Sequence, residues 1–182
     1  MKAKHIIFGV LSLLGLFLII LIFRARKTSV TADMIDIGFY DFKFKFKLTD
    51  IPGMILSLQV PAIATIQLNN FSKNDLTISQ LKADIYTPSG VLLGSQDKPF
   101  SEAYVVKANN SNLLDLEYTI NLPGIIDMVA ARKKVDSTKG LLSDILTSYL
   151  KTGTIGEKAL MKGFVIPKEL GIKIPLNDEI EF

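Results

Sequence analysis

The sequence predicts an antiparallel β-sandwich with one or two short helices, preceded by a single N-terminal transmembrane helix. Three observations support this prediction. Residues 6–23 form one uninterrupted apolar run. Most of the later chain consists of short segments in which apolar and polar residues alternate, separated by turns rich in Pro, Gly, Asn and Ser. Residues 141–151 instead repeat their apolar side chains at helical spacing.

The apolar run is predicted to be an uncleaved signal-anchor that crosses a bilayer once. It carries no charge, and Ser12 is its single polar side chain. As a helix it would be about 27 Å long, close to the ~30 Å hydrocarbon core. We favour an anchor over a cleaved signal or a lipoprotein-like leader, because residues 23–27 lack a small-residue cleavage site and the chain has no Cys. The residues predicted to span the membrane include Ile6, Phe8, Leu14, Phe17, Ile20 and Phe23.

Basic residues flank the predicted span on both sides. Lys2 and Lys4 precede it, and Arg24, Arg26 and Lys27 follow it. The positive-inside rule compares Lys and Arg at the two ends, and this near balance leaves the orientation open. We expect the three residues that follow the span to contact lipid headgroups or a partner.

The predicted organisation is a tail and anchor at residues 1–27, a linker at 28–33 and one domain at 34–182. The chain has a net charge of +3, but its first 27 residues carry five Lys/Arg and no acid. The remainder therefore carries 16 Lys/Arg against 18 Asp/Glu, a charge of −2. Such a nearly neutral domain has no electrostatic footprint for nucleic acid, so nucleic-acid binding is not expected.

The domain begins with a strand whose alternation changes phase. The apolar positions before and after the change are Ile35, Ile37 and Phe39, and then Phe42, Phe44, Phe46 and Leu48. The shift at residues 40–41 predicts a β-bulge or a bend. Between the later apolar positions lie Lys43, Lys45 and Lys47. This lysine row is interpreted either as a solvated face or protected edge, or as a contact for anionic lipid or an acidic partner.

Further strands are predicted from alternation and from the turns between them. Residues 51–53 are expected to form a turn and 54–60 a loop or the start of a strand, and residues 69–75 and 88–90 are turns. The predicted strands are 62–68, 76–86, 91–93, 103–106, 114–122, 155–166 and 171–176, and the clearest of them is 114–122. Residues 177–182 are interpreted as an acidic tail.

Two stretches after the clearest strand have helical character. Residues 125–135 are a possible helix, and residues 141–151 are predicted to form an amphipathic helix that lies on the core. The alternative for the second helix is that its apolar stripe faces the membrane.

The residue types needed for most catalytic chemistry are missing from the domain. There is no Cys, and the one His, His5, precedes the predicted span. A Ser-His-Asp triad, His-ligated zinc and an imidazole base are thereby excluded from the domain. The strand carboxylates are expected on outward, solvated faces: Asp84, Asp97, Asp115 and Glu117. We therefore expect no enzymatic activity, no metal or other cofactor, and no small-molecule substrate.

The order of turns and strands over roughly residues 60–176 resembles a known family. The matching features include Leu68-Asn69-Asn70-Phe71, the hairpin at residues 89–94, the long alternating strand and a close of the form Gly-Ile-Lys-Ile-Pro-Leu at 171–176. These resemble the water-stress and hypersensitive-response (WHy) domain of LEA-14-like proteins, although the family's Asn-Pro-Asn turn lacks its Pro here. The resemblance implies a seven-stranded, immunoglobulin- or fibronectin-like sandwich with no active site, and it provides no site residues.

These expectations converge on a non-enzymatic, single-pass membrane protein. Its β-sandwich would serve as a binding or structural module at a membrane surface, with the lipid bilayer and a protein as partners. The alternative is a structural subunit of a membrane-associated assembly, such as an envelope complex or the virion of a membrane-containing virus.

Overall fold

The computed structural model describes residues 34–98, 100, 103–134 and 141–182. The predicted span, the basic residues on either side of it and the linker lie outside these described residues. Within the described ranges, no helix combines the length and the hydrophobicity needed to cross a membrane.

The described residues form eight β-strands, three short α-helices and one 3-10 turn. The strands are β1 (Ile35–Phe44), β2 (Gln59–Asn70), β3 (Leu76–Tyr86), β4 (Leu92–Gln96), β5 (Tyr104–Val106), β6 (Asn110–Asn121), β7 (Lys158–Pro167) and β8 (Ile174–Glu181). The helices are α1 (Ile51–Ser57), α2 (Leu122–Lys133) and α3 (Leu141–Thr152), and the 3-10 turn is Leu48–Asp50.

The strands form one antiparallel sheet in the order β1-β2-β6-β4-β3-β7-β8, with β5 paired to β3. The two outer strands approach each other: the backbone N–H of Phe39 in β1 donates to Asp178 Oδ2 in β8 at 2.7 Å. The rings of Phe42 and Phe182 pack along the same seam with centroids 4.6 Å apart. The sheet is therefore nearly closed. The expected mainly β, antiparallel class is confirmed, but hydrogen bonds between β4 and β6 join the expected two sheets into one.

The sheet has two ends, which we call the linker end and the far end. The linker end contains Met34 and the turns at residues 71–75, 107–109 and 168–173, since Ile35 pairs with Asn70. The far end carries all three described helices: α1 leads into the start of β2, and α2 follows the end of β6. The chain thus enters the domain at the end opposite its helices.

Alternation along the strands produces the core. On β6, Leu116, Tyr118 and Ile120 are all buried, as the pattern predicts. The helix α3 also lies on the core as expected, since Leu141 and Ile145 are buried. The apolar stripe of this helix therefore packs against the sheet, which is the first of its two interpretations.

The predicted phase shift in β1 is a β-bulge. The pairing with β2 passes from Phe39 directly to Asp41, so Tyr40 has no partner in the register. The extra residue turns the following positions over, and Phe42 and Phe44 are buried.

Two expectations about irregular segments were wrong. Residues 51–57 form helix α1 rather than a turn and a loop, because Pro52 fits the first turn of a helix and Met54 is buried on the side facing the core. Residues 177–181 are not a tail but most of β8, which pairs with β7. Ile180 and Phe182 are buried there, whereas the acidic residues of the segment, Asp178, Glu179 and Glu181, are half-buried or exposed.

Candidate functional site

The lysine row lies on the outer face of β1 and the residues just after it. Lys43 forms an ion pair with Asp41, and Lys45 Nζ lies 3.3 Å from Glu117 Oε1. The hydrogen bond from Lys45, followed by the charge of Lys98, lowers the pKa of Glu117. Lys47 is exposed at the start of the 3-10 turn. Two of the three lysines thus have partners within the chain. The whole row lies towards the far end, on the last part of β1 and the residues that follow it.

An apolar patch lies beside the lysine row at the far end. Ile55 and Leu56 on α1 are 43% and 87% exposed, and Leu58, which follows the helix, is 49% exposed. We call these three residues the far-end patch. Contiguous exposed apolar surface on a folded domain marks contact sites, so these three residues, close together in sequence, are a candidate for one. The sequence interpretation missed this patch because it assigned these residues to a loop or strand start.

A groove lies between α2, the β3–β4 turn and the start of β7. Its volume is about 490 Å³. The residues that line it are Thr87, Pro88, Ser89, Val91, Gly124, Asp127, Met128, Ala131, Arg132, Gly156, Glu157, Lys158 and Glu181. This α2 groove has an apolar wall and a charged rim, as ligand-binding grooves commonly have.

A buried carboxylate, Glu157, lies in the α2 groove. Its side chain is 6% exposed, and its Oε1 lies 2.7 Å from Arg132 Nε. Burial raises the pKa of Glu157, while the charges of Arg132 and Lys133 act in the opposite direction. Arg132 also donates from Nη1 to the backbone oxygen of Gly156 at 3.2 Å, which holds the guanidinium over the groove. No sequence pattern distinguishes Glu157, because its partner lies on a separate element.

The chemistry available to Glu157 is limited. Arg132, the charged group closest to it, does not titrate in the physiological range, so the pair lacks a second group to share a proton. Among the described residues, no cluster of three or more His, Cys, Asp or Glu could hold a metal ion. The arrangement at Glu157 is thus a carboxylate paired with one guanidinium at the edge of a groove.

The four strand carboxylates divide into two groups. Asp97, Asp115 and Glu117 are exposed, as predicted. Asp84 is instead 9% exposed, and it lines a second cavity of about 400 Å³ where β3 and β4 separate. Its Oδ2 lies 3.1 Å from Lys82 Nζ, and within the described structure its Oδ1 has no hydrogen-bond donor. The ion pair accounts for one oxygen only.

Asn70 holds the linker end together. It is 1% exposed, and its Nδ2 lies 2.9 Å from Asn74 O and 3.0 Å from Val106 O. Its Oδ1 accepts the N–H of Ser72 at 2.9 Å. A side chain in this environment is an internal cap for two turns, so the polar cluster at 70–75 is a turn, as predicted.

Comparison with known proteins identifies the fold only. No protein-family model matches the chain, and no curated protein matches it. Among solved structures, AT1g01470 from Arabidopsis thaliana is 14% identical, with a TM-score of 0.50 over 80% of both chains. A protein from Archaeoglobus fulgidus is 15% identical with a TM-score of 0.38, over 80% of this chain and 96% of the other. The Arabidopsis protein is LEA-14-like, so the chain shares its general fold with one protein of that kind.

Proposed function

We propose that this chain is a non-enzymatic, single-pass membrane protein whose β domain is a binding module. The anchor is the apolar run at residues 6–23, which holds the linker end at a bilayer. The far end carries the contact surface for a protein partner. The observation that carries this proposal is that the far-end patch and the α2 groove both lie at the end opposite Met34.

The dimensions of the linker and of β1 support this orientation. Residues 28–33, fully extended, reach at most about 20 Å. The ten residues of β1 extend about 30 Å from the linker end towards the far end. An inverted domain, with its far end on its own membrane, would require nearly all of residues 24–33 to be extended, since Met34 would then lie about 30 Å from that membrane. The short tether therefore favours the linker end as the membrane-facing side and leaves the far-end patch to a partner.

Composition and charge support a binding role over catalysis. The domain lacks His and Cys, and Glu157 is paired with a non-titrating guanidinium. The near-neutral charge of the domain favours a protein partner over nucleic acid. The lysine row, with Lys47 exposed beside the far-end patch, would favour an acidic rim on that partner.

We also propose a relationship to LEA-14-like WHy domains. The similarity of fold to the Arabidopsis protein supports it, and so does the turn that begins at Asn70, which stands where the family has Asn-Pro-Asn although the Pro is missing here. The relationship is consistent with a module that has no active site.

The contact surface can be tested by substitution in the full chain. Leu56→Ser removes the most exposed apolar side chain of the far-end patch, and Leu113→Ser, at a residue 50% exposed on β6, is the matched control. After mild solubilisation from native membranes, we expect Leu56→Ser to lose a partner that both wild type and Leu113→Ser retain. Equal retention by both variants would contradict the proposed surface. A partner held in fixed stoichiometry would instead favour the alternative role as a structural subunit.

A further inference from the structure

An exposed aromatic side chain lies at the point where the linker meets the domain. The backbone N–H of Phe71 donates to the backbone oxygen of Met34 at 2.8 Å, which extends the β1–β2 ladder by one residue. Phe71 is nonetheless 62% exposed, because it follows the last residue of β2 and has no strand above it. An aromatic ring is costly to leave in water, but it is well placed where a bilayer interface could cover it.

The linker keeps this ring close to the headgroups. Met34 directly follows residues 28–33, and the basic residues Arg26 and Lys27 precede them. Six residues span at most about 20 Å even when fully extended. The local concentration of bilayer surface around Phe71 is therefore high, and even a weak contact would be populated.

The charges of the linker end favour an anionic surface. Lys73 and Lys168 are exposed and have no ion pair within the described residues. Three acids lie at the same end: Asp75 Oδ2 is 2.8 Å from Lys107 Nζ, Glu169 accepts the N–H of Thr77 at 2.8 Å, and Asp36 accepts from Asn69 Nδ2 at 3.1 Å. Lys73 lies two residues after Phe71, and Lys168 lies on another turn of the same end, so the linker end presents ammonium groups that suit a headgroup layer containing anionic lipid.

We propose that the linker end lies against the anchoring bilayer, with Phe71 in the interfacial layer and Lys73 and Lys168 on anionic phospholipid headgroups. This inference rests on the anchor in the proposed function. It fixes the pose of the domain: the membrane-facing surface is the set of turns at the linker end, and the lysine row of β1 faces elsewhere.

The absence of Trp from the chain allows a direct test. The full chain is reconstituted in phosphatidylcholine vesicles that contain phosphatidylserine and a quencher attached near the top of the acyl chains. Phe71→Trp reports on the linker end, and Leu56→Trp, at an even more exposed apolar residue of the far end, is the matched control. We expect blue-shifted, quenched emission from the first variant and solvent-like, unquenched emission from the second. Unquenched emission from Phe71→Trp, or equal quenching of both variants, would overturn the inference.

The contribution of charge is tested in the same vesicles. Adding Lys73→Glu and Lys168→Glu to Phe71→Trp is expected to reduce quenching, whereas adding Lys43→Glu is not. If Lys43→Glu reduced the quenching as much as Lys73→Glu and Lys168→Glu together, the proposed orientation of the domain on the membrane would be wrong.

The anchor and the pose can fail separately. If the chain does not float with vesicles at all, the proposed anchor is wrong and this inference falls with it. If the chain floats but Phe71→Trp is not quenched, the anchor stands and only the proposed pose is wrong.

Discussion

Asn70 shows how one polar side chain organises several backbone segments. Its amide bonds to carbonyls of both the 70–75 turn and the end of β5, so the strand order at the linker end depends on it. It is buried, and so are its hydrogen bonds to the backbone oxygen of Val106 and from the N–H of Ser72, so these two groups would lose their partner inside the fold if it were removed. Buried polar groups left without partners are among the more costly defects in a fold.

Replacing Asn70 by Ala is expected to destabilise the domain by about 2–4 kcal/mol, because it orphans several backbone groups. The neighbouring Asn69→Ala, at a half-buried position, is the control and should cost much less. Urea denaturation of residues 28–182 measures both. A similar midpoint for the two variants would show that Asn70 is not an internal cap.

The facing of β6 gives a second prediction for a single residue. Leu116 is 3% exposed and Leu113 is 50% exposed on the same strand. Leu116→Asp buries an unpaired charge and should cost about 3 kcal/mol or more, enough to unfold much of the population near 37 °C. Leu113→Asp should leave the melting temperature nearly unchanged. Equal melting curves for both variants would contradict the assigned facing.

Glu157 makes stability depend on pH in a direction unusual for a carboxylate. Burial raises its pKa above the ordinary value of 4.5, so the folded state binds this proton more tightly than the unfolded state does. Its contribution to the free energy of unfolding therefore falls as the pH rises from the pKa of Glu157 in the unfolded chain through its higher pKa in the folded domain. Glu157→Gln is expected to be more stable relative to wild type at about pH 7 than at about pH 4.

A second variant checks the cause of this effect. Arg132→Gln removes the charge that opposes the rise in the pKa of Glu157, so it should steepen the loss of stability with pH. Denaturation midpoints across the pH range measure both variants. A pH-independent difference between Glu157→Gln and wild type would show that Glu157 is not buried in its charged form.

At the scale of elements, the pairing of β3 with β7 requires a glycine opposite Ala83. A Cβ at Gly163 would overlap the backbone oxygen of Lys82 and lie 2.7 Å from Ala83 Cα, so the two strands could not keep their spacing. Gly53 in α1 has open space around it instead. The same substitution should therefore have opposite effects at the two sites.

Gly163→Ala is expected to destabilise the domain by about 2–3 kcal/mol through overpacking of the β3–β7 pair. Gly53→Ala is expected to stabilise it by about 0.5–1 kcal/mol, because Ala restricts the unfolded chain and favours the helix. Thermal and urea melts of the two variants should move in opposite directions. Stabilisation by Gly163→Ala would contradict the β3–β7 register.

The elements that could be predicted are those whose periodicity is undisturbed. The alternation of β6, the phase shift in β1 and the spacing of α3 follow directly from side-chain direction. The segment that became α1 was misassigned because its Pro and Gly indicate a turn locally, and only the burial of Met54 favours a helix. In β8, the acidic residues obscured the alternation that ends in Ile180 and Phe182.

The candidate site was less predictable than the fold. The lysine row could be identified from its spacing, but its ion pairs depend on Glu117 from a distant strand. The pairing of Arg132 with Glu157 depends on how α2 docks beside β7, and no local pattern encodes that contact. Sequence periodicity determines which face of an element is buried, whereas sites arise where separate elements meet.

At the scale of the whole molecule, near-closure of the sheet separates two surfaces. The helices and the packed rings of Phe44 and Phe182 lie at the far end, and tight turns form the linker end. A domain joined to a bilayer at one end and carrying its apolar patch at the other would present that patch away from the membrane. This polarity is the physical basis of the proposed role as an anchored binding module.

The central claim is that residues 1–27 hold a self-sufficient domain at a bilayer. The most direct measurement compares the full chain with residues 28–182 by flotation on phosphatidylcholine vesicles after an alkaline wash. We predict that the full chain floats with the vesicles and that the shortened chain stays in solution as a folded monomer. Loss of the full chain from the vesicles, or aggregation of the shortened chain, would contradict the account.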